Sequence, residues 1–419
     1  MVKNWKAEDL LAAYPRFMKN ADFYLGRLQD AENGFVQTFG TTPTRFFSAP
    51  GRTEIGGNHT DHQRGCVLAA AVDLDIVGAA LPNNSGVIRI FSEGYGMEEI
   101  PLHDLTVKEE EKNTTAALIR GVAAKICDMG YTVGGFDMYT VSNVLKGSGI
   151  SSSAAYEVLV GTAISKMYCH DKLSPVEIAQ IGQYAENVYF GKMSGLMDQT
   201  ASSVGGVVAI DFKDNENPIV RKLLFDLEEI GYQLCIVDSG ADHADLSDEY
   251  SAIPMEMKAV AAHFGKTHLR EVTLEQFLQD MAAVREKIGD RATLRAYHFL
   301  MDNQRAMDEA MYLETGNFDK FFETVTASGY SSFMYLQNVY VSGSIKHQEV
   351  AYALMAAQAA LQGKGAFRVH GGGFAGTIQA FVPSDILDSF VAQMENAIGK
   401  DCCHVLSIRQ AGGMELEKE

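Results

Sequence analysis

A strand, a glycine-rich turn and a helix follow one another between residues 136 and 168, and this succession constrains the fold more than any other stretch of the chain. Phe136-Asp137-Met138-Tyr139-Thr140-Val141-Ser142 alternates apolar and polar residues, as a half-buried strand does. Lys146-Gly147-Ser148-Gly149-Ile150-Ser151-Ser152-Ser153-Ala154-Ala155 comes next, and Tyr156 to Tyr168 then runs rich in Ala, Val and Leu, long enough for a helix. A glycine-rich turn that enters a helix through three serines gathers unpaired backbone N–H groups at a positive helix end, which suits phosphate oxygens. Gly147 and Gly149 permit positive φ, while the serine hydroxyls can cap the helix or reach a metal ion. The same residues would serve equally as a serine-capped helix after an ordinary loop. A Walker A loop is excluded, because GxxxxGK[ST] is missing here, and Gly265-Lys266-Thr267 has Val260 where that motif requires glycine.

At 419 residues the chain is long for one hydrophobic core, so two domains are expected. The polar turn Asp214-Asn215-Glu216-Asn217-Pro218 suggests the boundary, giving units 1–217 and 218–419. A formal charge of −19 argues against nucleic acid or an anionic membrane as the main partner, though not against a small anionic substrate. The six cysteines form no CxxC pair and read as reduced thiols of a cytoplasmic protein. Cys402-Cys403-His404 makes a poor zinc site, since adjacent cysteines rarely share a metal. Neither a signal-peptide core nor a membrane-spanning apolar run is expected.

Residues 5–40 carry helical spacing, and Thr44 to Ala49 reads as a short strand that Pro50-Gly51 ends. Then Arg52, Glu54, Asn58, His59, Asp61 and His62 crowd together around Gly56 and Gly57. Such a cluster is expensive to bury unless it binds something, and its mixture of donors and acceptors suits a hydroxyl-rich ligand such as a sugar; an exposed polar loop is the plainer alternative. Cys66 to Ala80 and Val87 to Phe91 read as strands, and Thr114 to Gly130 as a helix. Ser174-Pro175-Val176-Glu177 has the residues of a helix start, and that helix carries Glu186 near its end. Asp198 stands among apolar and glycine residues, either capping a helix or held ready for proton transfer. From about Met255 to Ala327 the spacing is mostly helical. Phe367 to Thr377 forms a second glycine-rich loop, whose Gly371-Gly372-Gly373 lets the backbone pass close to a partner.

Three of these segments, in this order, resemble the three motifs of the GHMP small-molecule kinases, and within them the galactokinase family. Ala49-Pro50-Gly51-Arg52 leading into His59-Thr60-Asp61 resembles the galactokinase signature, Gly147 to Ala154 the phosphate loop, and Gly371 to Gly376 the third motif. Tyr184-Ala185-Glu186-Asn187 and Leu196-Met197-Asp198-Gln199 are similar to two further galactokinase segments, so the likeness runs from about residue 43 to 410. The resemblance implies a two-domain α+β fold whose N-terminal domain is of the ribosomal-protein-S5-domain-2-like type, with the active site in the cleft between the domains. It implies transfer of phosphate from ATP to the anomeric 1-OH of galactose; the sequence leaves the oligomeric state open, with a monomer as the expectation. Asp198 then matches the catalytic carboxylate, and Arg52 the arginine that keeps it ionised and neutralises phosphoryl charge. Gly147, Ser148, Gly149, Ser151, Ser152 and Ser153 match the ATP-binding loop, and Ser153 and Glu186 the Mg²⁺ ligands. Asn58, His59, Asp61 and Tyr250 match the sugar-binding positions.

The chain departs from the family where Asn58 stands in place of a glutamate that contacts the sugar's 6-hydroxyl region. Asparagine keeps an acceptor and gains a donor without the charge, which would tolerate a different C6 group, even a carboxylate. Thr53-Glu54-Ile55-Gly56-Gly57 also differs from the usual Val-Asn-Leu-Ile-Gly. The alternatives left open are another galactose-like sugar, such as galacturonate or N-acetylgalactosamine, and a non-catalytic sensor of galactose and ATP. The intact serine loop and Asp198 disfavour the sensor, and His59-Thr60-Asp61 disfavours mevalonate or homoserine as substrate.

Overall fold

The computed structural model describes residues 5–144, 150–241 and 246–419. Its first sheet is built on β1 (Arg45–Gly56) and β2 (Cys66–Pro82), paired antiparallel along most of their length. β3 (Val87–Ser92), β4 (Gly96–Pro101) and β5 (Phe136–Ser142) extend it on one side in the order β2-β5-β3-β4, with β3 and β5 parallel. β6 (Val207–Asp211) pairs with β2, and β7 (Ile219–Leu223) with β6. The second sheet is formed by β8 (Tyr232–Asp238), β9 (Ala366–Val369), β10 (Thr377–Pro383) and β11 (Cys403–Leu406), in the order β11-β8-β10-β9. The last strand, β12 (Met414–Leu416), returns to the first sheet and pairs with β1.

β2 reads as a nearly unbroken apolar run because both of its faces are covered. Val77 and Ala79 pack with Tyr24 and Leu28 of α2 (Phe17–Phe39), which follows α1 (Ala7–Ala13). Leu68, Ala70, Ile76 and Ala80 share the opposite core with α3 (Thr115–Asp128), α4 (Ser152–Tyr168) and α5 (Pro175–Tyr184). α5 starts on the expected signal, with Ser174 and Glu177 capping each other's backbone. α6 (Met197–Val204) lies against β1 and β2, and the helical stretch after it resolves into α7 (Ser247–His263), α8 (Leu274–Ile288), α9 (Asp290–Glu314) and α10 (Phe318–Ser331). α11 (Glu349–Leu361) and α12 (Leu387–Ala397) pack on the second sheet through Ala353, Ala357 and Phe390.

Two local expectations change. β1 does not stop at Pro50-Gly51 but runs to Gly56, with register shifts between Pro50 and Arg52 and between Glu54 and Gly56. These irregularities let the strand bend past a proline that cannot donate a ladder bond. The first sheet also continues past residue 217, because β7 pairs with β6 across the polar turn; we propose that the lobes part between Leu223 and Tyr232. Among the described residues, no helix is long and apolar enough to cross a membrane.

Candidate active site

Because β1 continues as a strand, Arg52 and Glu54 fall on one face by its period of two, and Thr53 points the other way, bonded to His370 and Gln379. Arg52 and Glu54 line a pocket of about 250 Å³ together with His59, Asp61, Tyr250 and the Gly371-Gly372 backbone. Arg52 Nε donates to Asp198 Oδ1 at 2.7 Å, from the strand to the first turn of α6. Burial pushes the Asp198 carboxyl up, but the charge and hydrogen bond of Arg52, a hydrogen bond from Ser151 and the nearby Lys192 more than offset it. The net shift is downward, so Asp198 is ionised at neutral pH.

Asp61 sits opposite, with Oδ1 accepting the His62 N–H at 2.8 Å and Oδ2 close against Gly195. Burial is the main reason its pKa rises to about 6, with the Asp198 charge adding to it. Glu54 is raised to about 7, again chiefly by burial, against the pull of Arg368, Asn58 and Arg52. His59 Nε2 donates to the Gly372 carbonyl at 2.9 Å, and burial lowers the ring to about 4, so it is neutral. Tyr250 donates its hydroxyl to the Gly373 carbonyl at 2.9 Å and rests edge-on against Phe374. The structure therefore brings Arg52, His59, Asp61 and Tyr250 together around one pocket, with Asp198 bonded to Arg52.

Asn58 is the correction. It is wholly buried, and both halves of its amide are already bonded: Nδ2 donates to Glu54 Oε1 and the Gly371 carbonyl, and Oδ1 accepts from Ser332 and Asn338. Its backbone N–H reaches Asp302 and its carbonyl accepts from His298 Nε2. With four bonds to the protein, this side chain has no capacity left for a sugar. Asn58 joins the sheet to the helices of the second lobe and supports the pocket from behind.

The serines lead to a second cleft. Ser151 has left-handed φ and ψ of 56° and 71° at the start of α4, and Ser153 Oγ donates to Glu186 Oε1 at 3.2 Å. Glu186 lies on a π turn, Ala185–Phe190, that continues α5, a form of helix often found at functional sites. Gln199 Nε2 bridges Glu186 and Glu157 at 2.9 Å each, and Lys192 Nζ reaches Glu186 at 3.0 Å. Burial, then the Glu186 charge, raises the Glu157 carboxyl well above the usual carboxylate range. Ser152, Ser153, Tyr95, Leu118, Tyr156 and Phe190 line a cavity of about 390 Å³ beside this helix end. Gly147, Ser148 and Gly149 lie outside the described residues.

Sequence reading missed Lys192, whose only signal is a lone lysine between two motif segments, and the aromatic cavity, whose residues come from six separate elements and the loops between them. A larger groove of about 760 Å³ between Tyr232, Tyr330 and Pro383 contains none of the expected residues.

Known proteins share sequence signatures and the fold with this chain. Residues 33–82 match the galactokinase galactose-binding signature, and residues 117–206 match the GHMP kinases N terminal domain. A Lactococcus lactis galactokinase solved with galactose superposes with a TM-score of 0.78 at 24% identity, over 91% of this chain and 98% of that one. Methanococcus jannaschii mevalonate kinase gives 0.61 at 13% identity over 87% and 98%, and Streptococcus pneumoniae phosphomevalonate kinase, bound to phosphomevalonate and AMPPNP, gives 0.59 at 11% over 86% and 99%. At such identities the structural likeness establishes the fold.

Fold and matches together give the chain the α+β fold of the GHMP kinases. With its galactose-binding signature, the chain is an ATP-dependent sugar kinase.

Proposed function

We propose that the chain is a galactokinase, transferring the γ-phosphoryl group of ATP to the anomeric 1-OH of galactose. The observation that carries this reading is the Arg52–Asp198 pair, 2.7 Å apart, in a polar pocket next to the N-terminal end of α4, where Ser151 stands. The adenine would lie in the aromatic cavity beside Tyr95 and Phe190, with its phosphates directed to the N–H groups of Ser151, Ser152 and Ser153. The sugar would lie against His59 and Asp61. His59 presents Nδ1 as an acceptor, because Nε2 carries the proton.

In the transfer, the sugar oxygen forms a bond to the γ-phosphorus as the bond from that phosphorus to the bridging oxygen breaks. The 1-OH proton passes to Asp198, and ADP leaves. A carboxylate with lowered pKa is a weak base, so Asp198 orients the hydroxyl early and takes its proton late. Arg52 holds Asp198 in its charged form and faces the charge that develops on the phosphoryl oxygens. Ser153 Oγ and Glu186 Oε1 converge as hard oxygen donors and fit Mg²⁺, whose remaining ligands would be phosphates and water. When bound, Mg²⁺ screens the charge of the β- and γ-phosphates.

The test is ADP release from Mg-ATP with galactose, glucose, galacturonate, N-acetylgalactosamine and arabinose, with mevalonate and homoserine as controls. Galactose should be turned over best. Asp198→Asn should keep sugar and ATP binding and lose on the order of 10²–10⁴ in kcat. Near-normal turnover in that variant sinks the assignment of Asp198, and a better sugar than galactose sinks the galactose reading. Binding of both ligands by the wild type with no turnover would instead indicate a sensor.

A further inference from the structure

Glu54 is the pocket residue that neither the catalytic pair nor the fold fully accounts for. It lines the sugar pocket, yet its side chain is only 6% exposed. Two bonds reach it from the protein side, from Arg368 Nη2 and Asn58 Nδ2, each at 2.8 Å, and both fall on Oε1. Arg368 is itself fully buried and also binds the Ile55 carbonyl. Among the described residues, Oε2 accepts no hydrogen bond, although it belongs to a carboxylate fixed at its other oxygen. Burying an acid is costly, and a carboxylate that served only as counter-ion to Arg368 would gain more by offering both oxygens to the guanidinium. Here one oxygen is spent on support, and the other is left in the wall of the pocket.

We propose that Glu54 determines sugar specificity, its Oε2 accepting a hydrogen bond from a hydroxyl of a neutral sugar and its charge excluding sugars that carry a carboxylate. The inference rests on the sugar-kinase reading above and names the substrate class of that same pocket. It reverses the expectation drawn from Asn58, because the acid lining this pocket sits four residues earlier on the strand. Asp61 is a second acid in the pocket wall, and Arg52, the one cation among the described residues that line it, is engaged with Asp198. A uronate would therefore meet two acids and a committed arginine. Like charges set together in a poorly hydrated site are disfavoured strongly enough to exclude a ligand.

The experiment measures ADP release by the full chain at pH 8, where Glu54 is ionised, with galactose and galacturonate. The wild type should show kcat/KM at least 100-fold higher for galactose. Glu54→Gln, which keeps the shape and an acceptor, should raise the galactose KM about tenfold, leave the ATP KM unchanged and cut the preference over galacturonate below tenfold. A wild type that uses galacturonate within tenfold of galactose overturns this inference and leaves the kinase intact, a result that needs no variant. A folded Glu54→Gln protein with unaltered galactose KM and preference overturns it too. No turnover of either sugar by the wild type overturns the underlying reading of the pocket and the inference with it.

Discussion

A single methyl group should separate sugar recognition from fold stability in this protein. Gly195 lies in the segment between the π turn and α6, and a Cβ placed there would stand 1.9 Å from Asp61 Oδ2 and 2.9 Å from its Cγ. The glycine does not have a left-handed backbone, so alanine adds no conformational strain and the effect is purely one of contact. Ordinary carbon contacts need about 3.5 Å, so the Asp61 carboxylate must retreat by roughly 1.5 Å. Its Oδ1 is tied to the His62 N–H at 2.8 Å, so the retreat breaks or bends that bond or swings Oδ2 to a new position. Misplacing a substrate-positioning group by about 1 Å costs on the order of 100-fold, or about 2.7 kcal/mol of transition-state stabilisation. Gly195→Ala should therefore lose about 100-fold in kcat/KM for the sugar, with the ATP KM unchanged because Gly195 does not line the aromatic cavity. Its stability should fall by no more than about 1 kcal/mol, since a side-chain tip and not a packed core absorbs the clash. Steady-state kinetics with sugar varied, alongside urea unfolding, give both numbers. A variant with sugar kcat/KM within threefold of wild type would falsify the placement of Asp61 against the substrate.

Three further outcomes follow from the charged groups. Asp75 is fully buried and bonded to Arg27, Arg409, Ser48 and Tyr14; burial opposes its ionisation, but Arg27, Arg409 and Ser48 bring its pKa below the usual value. Asp75→Asn strands two buried guanidinium groups and should cost about 3–5 kcal/mol in urea unfolding at pH 7, a loss under about 1 kcal/mol counting against the network. Because folding depresses this acid, its stabilisation is complete above the unfolded pKa of about 3.9 and is lost as pH falls through the lower folded value. Sugar kcat/KM should drop as pH falls through about 7 and about 6, where Glu54 and then Asp61 gain protons, while His59, at about 4, stays neutral. Asp61→Asn should remove the lower step only, and an unchanged profile in that variant contradicts the assignment. Lys192→Met frees Glu186 from its ammonium partner and should lower the Mg²⁺ concentration for half-maximal activity by about two- to fivefold, read from Mg²⁺ titrations at saturating ATP, with no change or a rise counting against competition at Glu186.

Where the chain advertises its chemistry in contiguous residues, the fold was legible. The alternating strand at 136–142, the serine-led helix and the Ser174–Glu177 cap all form where local pattern places them, because each depends on neighbours within four residues. The short strands β4, β9 and β12 carried no such signal. β12 in particular exists only because the far end of the chain comes back to Phe46, Phe47 and Ser48, a pairing no local window contains. The aromatic cavity was invisible for the same reason, since Tyr95, Leu118, Tyr156 and Phe190 are brought together only by the stacking of helices on the sheet.

Asn58 shows a different kind of failure, one of period and not of range. With β1 assumed to end at Pro50-Gly51, residues 52 to 62 had to be read as a loop, and a loop has no periodicity from which to assign faces. The family resemblance then assigned Asn58, His59 and Asp61 to the sugar and passed over Glu54. Once the strand is known to pass through its bulges to Gly56, the alternation decides: 52 and 54 face the pocket, and 53 faces the second sheet. Asn58 lies beyond the end of that alternation, where the chain turns inward and its amide meets four protein partners. An acid at 54 and an amide at 58 thus have opposite fates, one at the pocket wall and one sealed behind it. A reading by adjacency sets the amide at 58 against the sugar, whereas a reading by strand period sets the acid at 54 in the pocket wall.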